Sequence, residues 1–330
     1  MKFNWSFNHL GMMVTDRDEV LEYYQSIGLG VSVGPQPLLP FIAGEGEITF
    51  FRELDGDPVS HKYQTGGAHH FRDGQSQIGN CQLEIYPMKP GPGMFISRYL
   101  EKKGNGINHI AFNTNDIEND TQYFLDRGCD LVFNVTTNGK TIENYIDTRR
   151  HGDLMISLRP PADDWEKSWR NNNESHPLVN QWRFMGVGLC VDDLESASGY
   201  YSSLGFTKSK DRFYRKEWKT DSIEYSLGGI LFELMKPEEV SIYSDSIKQR
   251  GEGVAEIIFE VSDIQNEIDM LNAKGTQILI VSDTDKMATI QTGLKGNFLQ
   301  DLFKSDFYGI NFILSCNFYI PFMSFSCSKA

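Results

Sequence analysis

The chain has 330 residues, 40% hydrophobic and 23% charged, with 31 Lys+Arg against 45 Asp+Glu and a formal charge of −14. That composition excludes a disordered or collagen-like chain, and the acidic balance argues against a nucleic-acid partner, whose phosphates call for a basic surface. Five cysteines, at 81, 129, 190, 316 and 327, form no CxxC and no repeated spacing, which argues against a disulfide framework or a thiolate zinc site.

Four segments in chain order share one pattern: a short apolar strand, a polar turn, an amphipathic helix, then Gly. The first runs from His9-Leu10-Gly11-Met12-Met13-Val14 to Gly28, the second from His109-Ile110-Ala111-Phe112 to Gly128. The third runs from Gly186 through Val187, Leu189 and Val191 to Gly205, and the fourth from Glu256 through Ile257, Ile258 and Phe259 to Gly275. The same span separates opening position from closing Gly in all four. Thr15 and Asp18 read as a capping box before Val20, Tyr24 and Ile27 at helical spacing. Short β-like runs follow each helix: Gln82 to Tyr86, Leu154 to Leu158, Ile230 to Leu234, and Asn311 to Leu314. Each unit is therefore strand, helix, then strands.

Between the second and third units lies a polar stretch opening with Pro160-Pro161-Ala162-Asp163-Asp164 and continuing through Asn171-Asn172-Asn173, the composition of a linker. The expected organisation is residues 1–160, a linker over 161–181, residues 182–316, and an apolar tail over 317–330. A polar, Gly-rich insertion over 55–79, holding His61, His69 and His70, reads as a long loop over a site. The opening stretch lacks the apolar core of a secretory leader. The apolar run from Tyr308 to Cys327 is broken by Asn311, Asn317 and Pro321, short of the ~20 residues a membrane span needs. A cytoplasmic protein with no membrane partner is expected.

A βαβββ unit repeated in pairs, with His opening its strands, resembles the vicinal oxygen chelate superfamily of glyoxalases, bleomycin-resistance proteins and dioxygenases. Asn8-His9-Leu10-Gly11 is similar to its first strand, Leu83-Glu84-Ile85-Tyr86-Pro87 to its LELxxP-type strand, and Gly104-Asn105-Gly106-Ile107-Asn108-His109-Ile110-Ala111-Phe112 to its GxGxxHIAF signature. The match resembles methylmalonyl-CoA epimerase-like members most, over residues 5–160, and recurs more weakly over 182–315. The resemblance implies an α+β fold of tandem domains, four βαβββ units forming two cupped mixed sheets. It also implies one divalent metal ion in the first pair of units, held by His9, Glu84, His109 and the position of Ser157, where the family usually has Glu.

Strand alternation independently sets His9, His109 and Glu84 opposite the runs that would pack on helices. Two His and one carboxylate suit zinc, cobalt, manganese, nickel or ferrous iron. With Ser157 a poor ligand, a separate acid or base is needed, and Glu53, His151 and Glu143 are the candidates. In the second half the matching positions hold Gly186, Glu233, Glu256 and Leu314, which marks it as degenerate; the two carboxylates there are expected to reach water or an Arg or Lys. The leading expectation is a metal-dependent isomerase or epimerase that abstracts a proton next to a carbonyl of a small acyl-CoA or carboxylic substrate. A non-haem iron dioxygenase, a glyoxalase-type lyase and a non-catalytic small-molecule binding protein are the alternatives, and a homodimer is open.

Overall fold

The computed structural model of the chain describes residues 3–27, 31–33, 44–51, 59–65, 75–86, 95–161, 182–282, 287–291 and 311–315. Unit one contains β1 (Ser6–Met13), α1 (Arg17–Ser26), β2 (Val31–Val33), β3 (Gly44–Phe50), β4 (Val59–Thr65), β5 (Gln75–Ile78) and β6 (Cys81–Tyr86). Helix α2 (Phe95–Lys103) leads to unit two: β7 (Gly106–Asn113), α3 (Ile117–Leu125), β8 (Leu131–Thr137), β9 (Lys140–Ile146) and β10 (Met155–Arg159). Unit three contains β11 (Trp182–Cys190), α4 (Leu194–Ser203), β12 (Thr207–Arg215), β13 (Thr220–Leu227) and β14 (Ile230–Pro237). Helix α5 (Ser244–Arg250) leads to unit four: β15 (Gly253–Val261), α6 (Ile264–Ala273), β16 (Gln277–Ser282), β17 (Met287–Gln291) and β18 (Asn311–Ser315).

Units one and two share a ten-stranded sheet in the order β2-β5-β6-β1-β7-β10-β9-β8-β3-β4. Units three and four share an eight-stranded sheet, β12-β13-β14-β11-β15-β18-β17-β16, which is the same order without β3 and β4. The expected tandem arrangement of four βαβββ units in two mixed sheets is what the chain adopts. The insertion differs from the expected loop. It holds β4 and β5, and β4 forms a hairpin with the preceding β3 that leaves unit one and pairs through β3 with β8, the outer strand of unit two. His61 lies on β4 opposite Ile48, while His69 and His70 fall outside the described residues.

Helix starts also differ from the expected capping box. The α1 cap is Asp16, whose carboxylate accepts from Glu19 N at 3.1 Å. Asp116, Asp193 and Asp263 cap α3, α4 and α6 in the same way, at the same offset from the opening position of each unit. The aspartate satisfies a backbone N–H that the first helical turn leaves unpaired and sets a negative charge at the positive end of the helix dipole. Three of the four closing glycines, Gly128, Gly205 and Gly275, have φ of 80°, 88° and 83°, the left-handed turn that ends a helix where a β-carbon would clash.

One apolar core serves both sheets. Leu10, Met12, Leu83, Ile110, Phe112 and Ile156 of the first sheet join Val187, Leu189, Phe232, Ile257 and Phe259 of the second, with helix residues such as Tyr24, Phe124 and Tyr201. Phe7 and Phe184 touch across the junction with ring centroids 4.5 Å apart. Packing both helix-bearing faces into one core leaves the opposite face of each sheet free to carry polar chemistry. No helix among the described residues is long and apolar enough to cross a membrane. Cys81, Cys129 and Cys190 are buried free thiols. Most of the expected linker and all of the tail over 317–330 lie outside the described residues.

Candidate metal centre

β1 runs antiparallel to β7, with Gly11 opposite His109, and parallel to β6, with Gly11 opposite Glu84. Alternation along the three strands sends Leu10, Leu83 and Ile110 into the core and His9, Glu84 and His109 to the other face. There the three side chains converge. His9 Nε2 is 2.7 Å from Glu84 Oε2 and 3.2 Å from His109 Nε2, and the three ligand-type atoms all lie within 4.8 Å of one another. All three residues are buried, at 1%, 2% and 0% exposure.

The neighbouring amides fix which nitrogen each ring offers. Asn8 Nδ2 donates to Asn113 Oδ1, so Asn8 Oδ1 faces His9 Nδ1 at 2.7 Å and accepts its proton. Asn108 Oδ1 stands 3.4 Å from His109 Nδ1, a longer contact on the matching side of that ring. With both Nδ1 atoms protonated, the two Nε2 atoms turn lone pairs toward each other and toward a carboxylate. That arrangement is repulsive unless something positive lies between, and a separation near 3 Å is what two nitrogens each ~2.1 Å from one ion would span. The residues therefore fit a divalent ion. Asn-His at the start of both units was the sequence signal for these orienting amides, and it was not used.

Ser157 stands opposite Ala111 on β7 and opposite Tyr145 on β9, fully buried. It donates its Oγ proton to Glu143 Oε1 at 2.9 Å. Glu143 and Tyr145 share the inner face of β9, while Asn144 between them bonds Thr121 on the helix side. The Tyr145 hydroxyl is 3.1 Å from His109 Nε2, and its ring packs with His109 and Phe133. Sequence reasoning missed Tyr145 because a lone aromatic in a strand reads as core. Of the other expected acid–base groups, Glu53 falls outside the described residues. His151 is drawn to the junction with unit three, where its Nε2 meets Ser196 Oγ at 3.2 Å and its ring packs against Tyr200. A crevice lined by Tyr99, Lys103, Asp153, Arg250 and Glu252 also lies at that junction, not over the triad.

Residues 185–290 match the family model of the glyoxalase/bleomycin resistance protein/dioxygenase superfamily. That stretch, in units three and four, is similar to this superfamily. The matched residues lie in units three and four, where the His ligands are absent, and not in the first half, where the resemblance was expected to be stronger. Among solved structures, a mutant 4-hydroxymandelate synthase from Streptomyces coelicolor is similar at 14% identity and TM-score 0.60, covering 96% of this chain and 93% of its own. A xylose isomerase-like TIM barrel/4-hydroxyphenylpyruvate dioxygenase fusion protein is similar at 12% identity and TM-score 0.55, covering 95% of this chain and 49% of that one. Methylmalonyl-CoA epimerase from Mycobacterium tuberculosis aligns at 19% identity with 43% of this chain and 91% of its own, at TM-score 0.33. The first two likenesses are of fold alone and take in both halves of the chain. Comparison with curated protein sequences gives no match.

Proposed function

We propose that the chain is a metal-dependent enzyme that abstracts a proton next to the carbonyl of a small carboxylic or thioester substrate. The observation that carries this reading is the buried convergence of His9, Glu84 and His109, with Glu143, a separately held carboxylate, on the same face of β9 as Tyr145, whose hydroxyl meets His109. His9, Glu84 and His109 would hold one divalent ion, which supplies Lewis acidity to the substrate carbonyl. Glu143 Oε1 is the base: its hydrogen bond from Ser157 Oγ orients it, and it receives the α-proton and returns it. The Tyr145 hydroxyl, beside His109 Nε2, donates a hydrogen bond to the oxygen on which negative charge develops. Ser157 at the usual carboxylate position leaves proton transfer to Glu143 rather than to a ligand.

A second reading is ferrous oxygenase chemistry. It is favoured by the donor set, since two His and one carboxylate, the group found among the described residues, is the arrangement non-haem iron oxygenases use. One pair of measurements separates the two. Protein loaded with Co²⁺ or Zn²⁺ is expected to exchange substrate α-hydrogen for solvent deuterium, and Glu143→Gln to lower that exchange by ~10² or more while retaining the metal. Oxygen uptake after anaerobic iron loading, without deuterium exchange, would overturn the first reading in favour of the second.

A further inference from the structure

The second sheet repeats the register of the first. Gly188 stands opposite Glu233 on β14 and Glu256 on β15, as Gly11 stands opposite Glu84 and His109. Where the first sheet gathers two imidazoles and a carboxylate, the second gathers two carboxylates and a guanidinium. Arg215, from the end of β12, places Nη1 3.1 Å from Glu233 Oε1 and 3.3 Å from Glu256 Oε2. All three residues are buried, at 5%, 3% and 0% exposure. The Arg215 guanidinium carbon lies 4.2 Å from the centre of the Trp218 ring, and Trp218 and Tyr243, both fully buried, fill the face around it.

The guanidinium satisfies this set only in part. Its Nη2, Glu256 Oε1 and the hydroxyls of Thr220 and Ser222 are buried without a hydrogen-bond partner. Ser222 stands opposite Met235 and Glu224 opposite Glu233, so Thr220, Ser222 and the two glutamates share the inner face. Such a group of oxygen donors around a buried positive charge is the ligand chemistry of a hard cation. Two ionised carboxylates would balance one divalent ion.

We propose that the inner face of the second sheet is a divalent-cation site whose ion has been replaced by the Arg215 guanidinium, so that removing Arg215 opens a site for a hard cation such as Mn²⁺. The inference stands apart from the reading of the first sheet, and the test removes that sheet's ligands. Equilibrium dialysis against Mn²⁺ would compare His9→Ala/His109→Ala with the same protein carrying Arg215→Ala. The parent is expected to bind no Mn²⁺ and the Arg215→Ala protein one equivalent, lost again when Glu233→Gln and Glu256→Gln are added. A folded Arg215→Ala protein that binds none, or a parent that already binds one equivalent lost on Glu233→Gln, overturns the proposal. Should the Arg215→Ala protein not fold in buffer alone, recovery of native circular dichroism on refolding with millimolar Mn²⁺ supports it, and failure to recover overturns it.

Discussion

A β-carbon on Gly11 would fall within the His109 imidazole, against its Cε1 and Nε2. The His109 ring therefore rests in the space that glycine leaves on β1, and its direction depends on that space. Gly11→Ala should displace the ring without unfolding the sheet. Metal affinity is expected to fall ~10–100-fold, the scale seen when groups that orient ligands are lost. Isothermal titration with Co²⁺, beside an unchanged far-ultraviolet spectrum, would measure it.

Tyr145→Phe removes one hydroxyl and keeps the ring that packs on His109 and Phe133. Metal content should be unchanged, and kcat should fall ~10²-fold with little change in KM, the pattern of a donor that acts on developing charge. A fall in metal content instead would make the hydroxyl a ligand-positioning group.

Glu256 gives the second sheet a defined pH response. Its carboxyl releases a proton near 4.5 when free and at about 8 when folded, through burial chiefly, with Arg215 opposing and Glu233 adding to the rise. The folded state thus holds a proton that the unfolded chain gives up between those values. Stability from this group is fully present below 4.5 and is lost as pH rises toward 8. The Cys190 thiol nearby is itself pushed up by burial and stays neutral across this window, and Glu224 is raised by burial and by Glu233. Urea midpoints across the window should decline for the native chain, and Glu256→Gln, neutral at every pH, should flatten the decline.

Glu252 ties the two halves together. Its carboxylate accepts from Gly152 N at 2.7 Å and Asp192 N at 2.8 Å, and its carbonyl accepts from Lys103 Nζ, which also pairs with Asp153 at 2.9 Å. Glu252→Ala leaves two backbone donors to find water. A loss of ~1.5–3 kcal/mol is expected from bonds to a charged acceptor, read by denaturant midpoint, with metal content unaffected.

Much of this was legible in the chain because repetition constrained it. The common span from opening position to closing Gly gave the four units, and strand alternation put His9, Glu84 and His109 on one face before any contact was known. What escaped depended on partners distant in sequence. The destination of the β3–β4 hairpin is set by an edge on another unit, which no local pattern encodes. Arg215 belongs to no repeated position, so its place between Glu233 and Glu256 followed only from folding, although a counter-charge for the two glutamates was expected. Register moved one assignment: Ile258 pairs with Ile313, so Ile313 and not Leu314 is the counterpart of Ser157, which stands opposite Ala111. Asp16 escaped because Thr15 and Asp18 mimic a capping box around it, although the aspartates at equivalent offsets were there to be compared.

The β3–β4 hairpin makes the first two units interdependent during synthesis and refolding. Unit one cannot finish its own strand pairing until β8 exists, because Gly46, paired with Tyr63 of β4 on one side, meets Thr137 of β8 on the other. Closing so long a loop costs chain entropy before any pairing rewards it. The half that carries the triad should therefore be the later of the two to mature, with its exposed hairpin the stretch that a chaperone or a protease meets first.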